Sequence, residues 1–579
     1  YSKVMESHND RSGNHERHII RFYLHALKLG TTYIFEALPK LITVWLDFAQ
    51  RPPKTKEAAK RLNTIVQDLL EQKDDIPMYI WFTSITQLFS RLTHSHDASV
   101  KVMMQIIGSL VATYPKHSLW YALSHVKSKD AIRRTRVSGI LAELGRNQNL
   151  GEHIKNAQIL FDILEGLASF KISSNLEVAS KKWLLSRDFN VTDTYKRYTA
   201  LVIPVKSNLE IRIPASNKSW PSSSSRNGWH AFPRSASITF DGFDDKVNVF
   251  QSLQKPKQIT IRGSDNRPYR LMLKKDDTRK DAKVFEFTNM INRILLTSAD
   301  ARKRSLIVEN YSVIPLAEDL GVIEFVQNVS TMKSVISAQQ KKAGMAVDEK
   351  RIFRKIGEAQ RLAKARNSSE PTVDEPLISF FRSLCTEVKP VLHQWFIDQF
   401  SDPAVWYSAR NCFTRTSAVM SVVGYIIGLG DRHCENILFV KKNGAALHID
   451  FDCLFEKGLT LPTPEVVPFR LTQNLVDAMG ITGVEGSFRV TCEVTGTLVR
   501  ENEASLMNIL ETLVYDPLLD WKTLEKPQEH LKKVRRKIRG LLDREGLPMN
   551  VHGQIDYLIQ QASSDQNLSR MYGGWAAYI

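Results

Sequence analysis

From the start of the chain to about residue 190, apolar side chains recur at three-to-four-residue spacing. HIIRFYLHALKLG, TTYIFEALPKLITVWLDFAQ, IWFTSITQLFSRL, VKVMMQIIGSLVATY and AQILFDILEGLASF each carry the stripe of an amphipathic helix. Polar or proline-bearing joints such as RPPKTKE, DDIPMY and GRNQNLGE separate them. Helices paired in series predict an α-solenoid; a bundle is the alternative, since no strict consensus period is visible. Near residue 200 the texture changes. VIPVKSNLEIRIP is strand-like and SWPSSSSRNGWHAFPRSA is a Ser/Pro-rich loop, which together predict a domain boundary. The runs ASITFDGF, KVNVFQSL, KQITIRGSD, YRLMLKK, YSVIPLAED and GVIEFVQNV then predict five or six strands of a small antiparallel sheet. One helix, KVFEFTNMINRILLTS, interrupts them. Helices return after 330 with VISAQQKKAG, EKRIFRKIGEAQRLAKA, LISFFRSLCTEVKPVLHQWFIDQF and the uncharged SAVMSVVGYIIGLG. A hairpin is predicted over ILFVKKNGAALHIDFD by its Asn443-Gly444 turn. The predicted class is α+β: a helical platform, a small β-rich lobe, and a larger helical lobe.

Composition narrows this only slightly. The 579 residues suggest three or four domains, and 43% hydrophobic with 24% charged residues is a globular composition. An excess of Lys and Arg (79 against 62 acidic residues, net +17) admits a nucleotide, nucleic acid or acidic protein as partner. Cys385, Cys412, Cys434, Cys453 and Cys492 form no CxxC pair, a pattern that fits a reducing compartment better than disulfides or zinc. No stretch reaches the roughly 18 apolar residues of a membrane span, and YSKVMESHNDRSGNHERH is too polar for a signal peptide. Lacking an initial Met, the chain is expected to be a piece of something longer.

The chemistry lies in four elements in order. LMLKKDDTRKD ends a strand with Lys274 and Lys275, followed by Asp276, Asp277 and Asp281. A strand lysine held by a carboxylate is how kinases grip the α- and β-phosphates of ATP. GVIEFVQN would make a lobe-to-lobe linker whose backbone pairs with adenine, with Phe325 available for stacking. Asp431 and Asn436, in DRHCEN, have the spacing of the kinase catalytic loop, although His433 follows the aspartate instead of preceding it. HIDFD then supplies Asp450. Asn436 and Asp450 would chelate Mg²⁺ through hard oxygens; Asp431 would accept or orient the attacking hydroxyl, and His433 would hydrogen-bond the transferring phosphoryl. Any one element is common; the ordered set is not. There is no GxGxxG loop, and QSLQKPK, with Ser252, is the candidate in its place.

The DRHxxN and xDF order with a glycine-poor phosphate loop resembles the phosphatidylinositol-3-kinase-related protein kinases, specifically the ATR branch of DNA-damage checkpoint kinases in a fungal form. HIIRFYLHALKLG and YPKHSLWYALS are similar to the end of the FAT solenoid, and SITFDGFDDKVNVFQSLQKPKQITIRGSD to the first kinase strands. SAVMSVVGYIIGLGDRHCENILF, HIDFDCLFEKG and PEVVPFRLTQNLVDAMGITGVEGSF resemble the catalytic and activation segments, and VHGQIDYLIQQASSDQNLSRMYGGWAAYI the closing FATC element. The resemblance implies a FAT end over 1–200, a kinase N-lobe with its linker over 201–326, a C-lobe over 327–517, a regulatory segment over 518–547 and FATC over 548–579. It further implies Lys274 as the ATP lysine with Asp281 as its acidic partner and Asp276 as a second contact. Glu324, Phe325 and Val326 become the adenine hinge, with Leu438 and Ile449 beneath the base. Many relatives carry Trp where Phe325 stands. The spacing from lysine to RKD is one residue shorter than in many relatives, which leaves Lys274 against Lys275 open to counting; Lys274, five residues beyond Tyr269, is preferred. The implied activity is ATP- and Mg-dependent phosphorylation of Ser/Thr-Gln sites in proteins. Also implied are a nuclear location, an obligate ATR-interacting accessory subunit, RPA-coated single-stranded DNA reached through it, activator proteins, dimeric assembly and no membrane.

Three other readings are weaker. A lipid kinase should carry a basic activation segment, whereas FDCLFEKGLTLPTPEVVPFR has Lys457 and Arg470 against Asp452, Glu456 and Glu465. A dead scaffold should have lost Lys, Asp, Asn or the metal Asp. Direct DNA binding rests on KKVRRKIR (532–539), which reads better as a solvated helix face with Val534 and Ile538 turned inward. Cys434 fits as a small filler, and MYGGWAAYI is expected to pack against the activation segment.

Overall fold

The computed structural model describes residues 14–51, 55–172, 181–214, 231–232, 237–252, 254–345, 347–366, 375–514, 527–541 and 546–579. It contains two compact units: Tyr1–Lys283 with Tyr311–Phe325 and Asn508–Thr523, and Val284–Asn310 with Val326–Met507 and Leu524–Ile579.

The first unit opens with helices α1 (Asn14–Leu29), α2 (Ile34–Gln50), α3 (Lys56–Gln72), α4 (Met78–Phe82), α5 (Ile85–Ser90), α6 (Asp97–Thr113), α7 (Pro115–Val126), α8 (Ala131–Leu144) and α9 (Gln148–Ser169). Side chains that satisfy the first free amides start several of them: Thr55 caps α3, Asp130 caps α8 and Asn147 caps α9. The predicted single helix over IWFTSITQLFSRL is instead the pair α4 and α5. The Thr83 hydroxyl donates to the Ile80 carbonyl at 2.7 Å, and such local bonding competes with helix continuation. Stripes of apolar residues meet in one core containing Trp45, Trp81 and Trp120.

That core continues under an antiparallel sheet of eight strands: β1 (Trp183–Leu184), β2 (Tyr198–Val202), β3 (Thr239–Phe243), β4 (Lys246–Val249), β5 (Lys257–Gly263), β6 (Pro268–Lys274), β7 (Val313–Ala317) and β8 (Leu320–Glu324). The order is β1-β4-β5-β6-β8-β7, with β3 joining β5 to β2. Two side chains fasten helices to strands here. Trp120 Nε1 donates to the Val202 carbonyl at 3.0 Å, and buried Lys257 of β5 donates to the carbonyls of Ala168 (3.2 Å) and Phe170 (2.7 Å) at the end of α9. VIPVKSNLEIRIP differs from its strand-like expectation. Its strand ends at Val202, and Lys206–Leu209 form a helical turn. Fully buried Asn208 donates to the carbonyls of Ile203 and Ile238 there, so hydrogen-bond satisfaction overrides β-propensity. Most of the Ser/Pro-rich loop lies outside the described residues.

In the second unit a three-stranded antiparallel sheet, β11-β10-β9, is built from β9 (Val329–Thr331), β10 (Ile437–Val440) and β11 (Ala446–His448). GVIEFVQNV is thus not one strand: β8 ends at Glu324 and β9 belongs to the other sheet. The expected turn at Asn443-Gly444 closes β10 on β11, with Gly444 at φ 74°. Helix α10 (Pro403–Ile427) starts on an Asp402 cap with Pro403 at its first position, and is buried without break from Ala418 to Ile427. It ends at Gly428, φ 62°, where an added Cβ would stand 2.5 Å from the Glu456 amide nitrogen; both conformation and space demand glycine. LISFFRSLCTEVKPVLHQWFIDQF is two helices, Glu375–Glu387 and Leu392–Gln399, parted before Pro390. Helices α11 (Pro527–Arg539) and α12 (Val551–Ser563) follow. Among the described residues no helix is long and apolar enough to cross a membrane.

Candidate active site

Ser252, Lys274, Asp276, Asp281, Glu324 and Phe325 lie in the first unit; Val326, Asp431, His433, Asn436, Leu438, Ile449 and Asp450 lie in the second.

In the first unit, Lys274 is the last residue of β6 and its ammonium sits 2.7 Å from the Asp276 carboxylate. The next residue, Lys275, is near enough to buried Lys257 to help burial lower that amine to about 8. Alternation along a strand points neighbours to opposite sides, and Leu273 is the partner of Lys257 across the strands, so Lys274 is on the face opposite Lys257. Asp281 stands in the first turn of the helix Arg279–Thr297. Ser252 lies in the turn between β4 and β5, where its carbonyl accepts from the Lys255 amide at 3.3 Å. The Phe325 ring stacks on Phe250 (centroids 5.9 Å, planes 23° apart), and its amide donates to the Arg270 carbonyl at 3.0 Å. Glu324 does more than lend backbone. Its buried carboxylate accepts from the amides of Lys206 (2.8 Å) and Ser312 (3.0 Å), tying the end of β8 to the segment after β2. Burial raises its pKa, partly offset by those amides.

The loop residues Asp431, His433 and Asn436 of the second unit form a closed arrangement. Asp431 has a left-handed backbone, φ 58°, costing about 1 kcal/mol or more for a residue with a Cβ. Asn436 Nδ2 donates to the Asp431 carbonyl at 2.9 Å, which turns the amide oxygen the other way. The Glu435 amide donates to His433 Nδ1 at 3.1 Å, so the neutral ring carries its proton on Nε2, 4.0 Å from Asp431 Oδ2. The Asn436 carbonyl accepts from the Ile449 amide at 3.0 Å, linking this loop to the strand end that presents Asp450, itself at φ 61°. Leu438 and Ile449 sit on β10 and just beyond β11, one residue from Ile437 and His448, which pair across the strands.

Arg432, outside the expected catalytic and binding residues but readable from its charged neighbours as a brace of the loop, is the clasp of this arrangement. Its buried guanidinium donates to the carbonyls of Gly430 (2.9 Å), Ile449 (2.8 Å) and Asp450. The clustering of charge in DRHCEN was the available signal, since a buried guanidinium has to find acceptors. Glu465 is a second omission: its Oε2 accepts from the Asp431 amide at 2.7 Å. His448, in HIDFD, is a buried imidazole pushed down to about 3 by burial and then by Arg432. Cys434 is buried, and burial raises its thiol pKa, as suits a filler residue.

Asn436 Oδ1 and the Asp450 carboxylate are the hard oxygen donors that Mg²⁺ takes, and the Asn436 nitrogen is already committed to Asp431, so the donor set fits that ion.

Two flanking elements brace the site. Arg470, buried, donates to the carbonyls of Trp575 (2.7 Å), Ala576 (2.8 Å) and Arg432 (3.3 Å) and lies over the Trp575 ring, so the tail packs against the end of the activation segment as expected. Helix α11 turns Val534 and Ile538 inward, but the basic run is not simply solvated. Lys537 is also drawn in and pairs with Glu456 at 2.8 Å, beside Lys533 at 3.0 Å, while Arg535 and Arg539 pair with Glu503.

Residues 268–523 match the family model of the phosphatidylinositol 3- and 4-kinases, residues 64–161 that of "Serine/threonine-protein kinase ATR-like, HEAT repeats", and residues 548–579 the FATC domain. Among curated proteins, the chain is 54% identical to serine/threonine-protein kinase MEC1 of Candida albicans over 100% of its own length and 24% of that protein's. It is 34% identical to protein kinase rad3 of Schizosaccharomyces pombe, over 98% of the chain and 24% of the relative. Identity to serine/threonine-protein kinase ATR of Drosophila melanogaster is 33%, over 96% and 22%. The chain therefore spans about a quarter of the length of these relatives. The solved "FAT and kinase domain of CtTel1" superposes with a TM-score of 0.80 at 26% identity, covering 98% of this chain and 38% of that one. The "Tel1 kinase butterfly symmetric dimer" gives 0.75 at 25% identity, over 98% and 23%.

Proposed function

The chain belongs to the ATR branch of the phosphatidylinositol-3-kinase-related kinases, and from that premise we propose that it is the catalytic end of a serine/threonine protein kinase that transfers phosphate from ATP to Ser/Thr-Gln sites in DNA-damage and replication-stress checkpoint signalling. The observation that carries this is the junction of two motifs. The loop bearing Asp431, His433 and Asn436 is joined to the segment bearing Asp450 by the Arg432 guanidinium and by the Asn436–Ile449 backbone bond. Asp431 accepts the proton of the substrate hydroxyl, and His433 offers its Nε2 proton to the phosphoryl oxygens. ATP with Mg²⁺, when bound, supplies the phosphoryl group and neutralises its charge. Asn436 and Asp450 would hold the metal, and Lys274 the phosphates with Asp276 and Asp281 as its acidic neighbours. Ser252 would face the phosphates from the glycine-poor turn. The adenine edge falls to the Glu324 carbonyl and Val326 amide, because the Phe325 amide is already used by Arg270. Phe325, Leu438 and Ile449 supply the apolar contact.

Residues 1–200 are the FAT end, 201–326 the N-lobe, 327–517 the C-lobe, 518–547 a regulatory segment and 548–579 FATC. The whole protein acts in the nucleus, with an accessory subunit that brings it to RPA-coated single-stranded DNA, with activator proteins, and as a dimer. The activation segment favours a protein over a lipid substrate: Arg470 is turned inward to the tail, leaving Lys457 as the segment's one other basic residue.

The test is a kinase assay on paired Ser-Gln and Ser-Ala peptides and on phosphoinositide vesicles, with Asp431→Ala and Asp450→Ala as controls. Expected are a strong preference for Ser-Gln, no lipid product, and loss of turnover in both variants with folding intact. Activity surviving in Asp431→Ala, or equal rates on the two peptides, would overturn the assignment.

A further inference from the structure

The Asp431 amide needs an acceptor, because it lies beyond the end of the preceding helix, whose last residue is Ile427. The acceptor comes from 34 residues further on, where Glu465 Oε2 stands 2.7 Å away. Two glycines make the seat. A Cβ at Gly430 would fall 2.8 Å from Glu465 Oε2 and 2.8 Å from Cys453 Sγ; one at Gly458 would fall 2.9 Å from Glu465 Oε2. Neither glycine has a positive φ, so what these positions require is room for the carboxylate. The Glu465 amide donates to the Gly458 carbonyl at 3.0 Å, and the Gly430 amide to the Cys453 carbonyl at 2.8 Å. The carboxylate is thus fixed at its own end as well as at the end it serves.

Packing alone does not hold the segment there. Glu465, Gly430 and Gly458 line a cavity of about 530 Å³ that extends to Lys533 and Lys537 of α11. With that much unfilled space alongside, the directional bond to Asp431 adds to the Gly430–Cys453 and Arg470–Arg432 bonds in fixing the distance between activation segment and catalytic loop, and it is the one that acts on the Asp431 amide itself. Burial raises the Glu465 pKa and the nearby Asp431 charge adds to this, while the Asp431 amide draws it back; the group is kept in a setting that a surface glutamate would not have.

We propose that Glu465 is a positioning residue, whose carboxyl oxygen fixes the backbone of Asp431 and so makes an ordered activation segment a condition of catalysis. This rests on the kinase reading given above. The activation segment then does two separate things: it faces substrate, and through Glu465 it sets the angle at which Asp431 meets the substrate hydroxyl. Disorder of the segment removes catalysis without touching any group that binds ATP.

The test is steady-state kinetics of the full-length protein on a Ser-Gln peptide, with thermal unfolding of every variant. Glu465→Ala loses the acceptor and is expected to lower kcat about 10- to 100-fold, the scale of one hydrogen bond to a charged group, with KM for ATP within about threefold. Glu465→Gln keeps an oxygen at the same reach and recovers most of the rate, whereas Glu465→Asp, one methylene short, behaves like Ala. Gly458→Ala displaces the carboxylate without altering it, so it lowers kcat in the wild-type background and has little further effect in Glu465→Ala. Full activity in Glu465→Ala, additive effects of Gly458→Ala and Glu465→Ala, or equal losses in Gln and Ala would each overturn the proposal. So would a fall in activity matched by unfolding in all the variants. The outcome separates from the kinase reading through Asp431→Ala: an active Asp431→Ala removes that reading, while an inactive Asp431→Ala beside a fully active Glu465→Ala removes only the role of Glu465.

Discussion

Replacing Arg432 with lysine keeps the charge and removes the fork. The guanidinium reaches three carbonyls at once, those of Gly430, Ile449 and Asp450, from a side chain that is only 4% exposed. An ammonium on a flexible stem can serve one of them well and cannot span the set. Hydrogen bonds from a charged donor are worth about 1.5–3 kcal/mol each, so losing two is about 3–6 kcal/mol before relaxation. Two effects reduce this. Water can reach part of the loop, and the backbone around the smaller donor set can relax toward it. What remains is about 2–3 kcal/mol, or roughly 30- to 160-fold in kcat when it falls on the reacting geometry. The loss should be catalytic more than global, because the tail clasp through Arg470 and the Asn436–Ile449 bond both survive. Peptide phosphorylation measured across a Mg²⁺ titration is the assay. Arg432→Lys is expected to need more Mg²⁺ for half-maximal rate, since the Asp450 backbone is no longer pinned, with a thermal midpoint only a few degrees lower. A variant with kcat within threefold of wild type and an unchanged Mg²⁺ requirement would refute the clasp as a catalytic brace and leave it a stabilising contact.

Glu456→Gln should destabilise the second unit by about 3 kcal/mol, because it leaves Lys537 buried without its counter-charge. In the wild type, Lys537 and Lys533 outweigh burial and hold the Glu456 carboxyl down to about 2; a folded-state pKa below the unfolded value gives stability that is present above about 4.5 and lost as pH falls toward 2. Acid unfolding followed by fluorescence should therefore begin at higher pH in Glu456→Gln, and coincident acid transitions would refute the pairing. Lys257→Met tests the joint between α9 and β5. Burial, with Lys275 adding to it, lowers the amine to about 8, so between about 8 and 10.5 the unfolded chain binds the extra proton and wild-type stability rises with pH. Thermal midpoints over that range should climb in the wild type and climb less in Lys257→Met; parallel curves would show that the amine is not buried.

Much of the fold was legible because its elements are amphipathic with a clean period. The solenoid stripes, the six runs that became β3 to β8 and the hairpin at Asn443-Gly444 all follow from side chains that pack where they point. Errors fell where a polar side chain redirects the backbone. Thr83 splits α4 from α5 through a bond to the Ile80 carbonyl. Asn208 and Glu324 together convert a strand-like stretch into a helical turn anchored on the second half of the sheet. The grouping of the candidate site residues was readable for the opposite reason: Asp431, His433, Asn436 and, fourteen residues on, Asp450 lie close in sequence, so their proximity in space is nearly guaranteed by one turn and one hairpin.

The groups that support that loop were not readable, and the two carboxylates show why. Glu324 and Glu465 each entered the sequence reading as something other than a buried acceptor, one as a piece of backbone and one as a negative charge on a surface segment. Each in fact serves a backbone amide far along the chain: Glu465 reaches Asp431, 34 residues back, and Glu324 reaches Lys206, 118 residues back. No local periodicity records such a bond, because the partner is an N–H group that every non-proline residue possesses. Arg432 is the intermediate case. Its partners are also anonymous carbonyls, yet it sits inside the charged cluster and was recognisable as a brace from its neighbours alone. A second sequence signal for Glu465 existed in the pair of glycines, Gly430 and Gly458, neither of which is needed for a turn. Glycines beside Asp431 and within the segment that carries Glu465 imply that something close must fit between them, and in this chain it is a carboxylate.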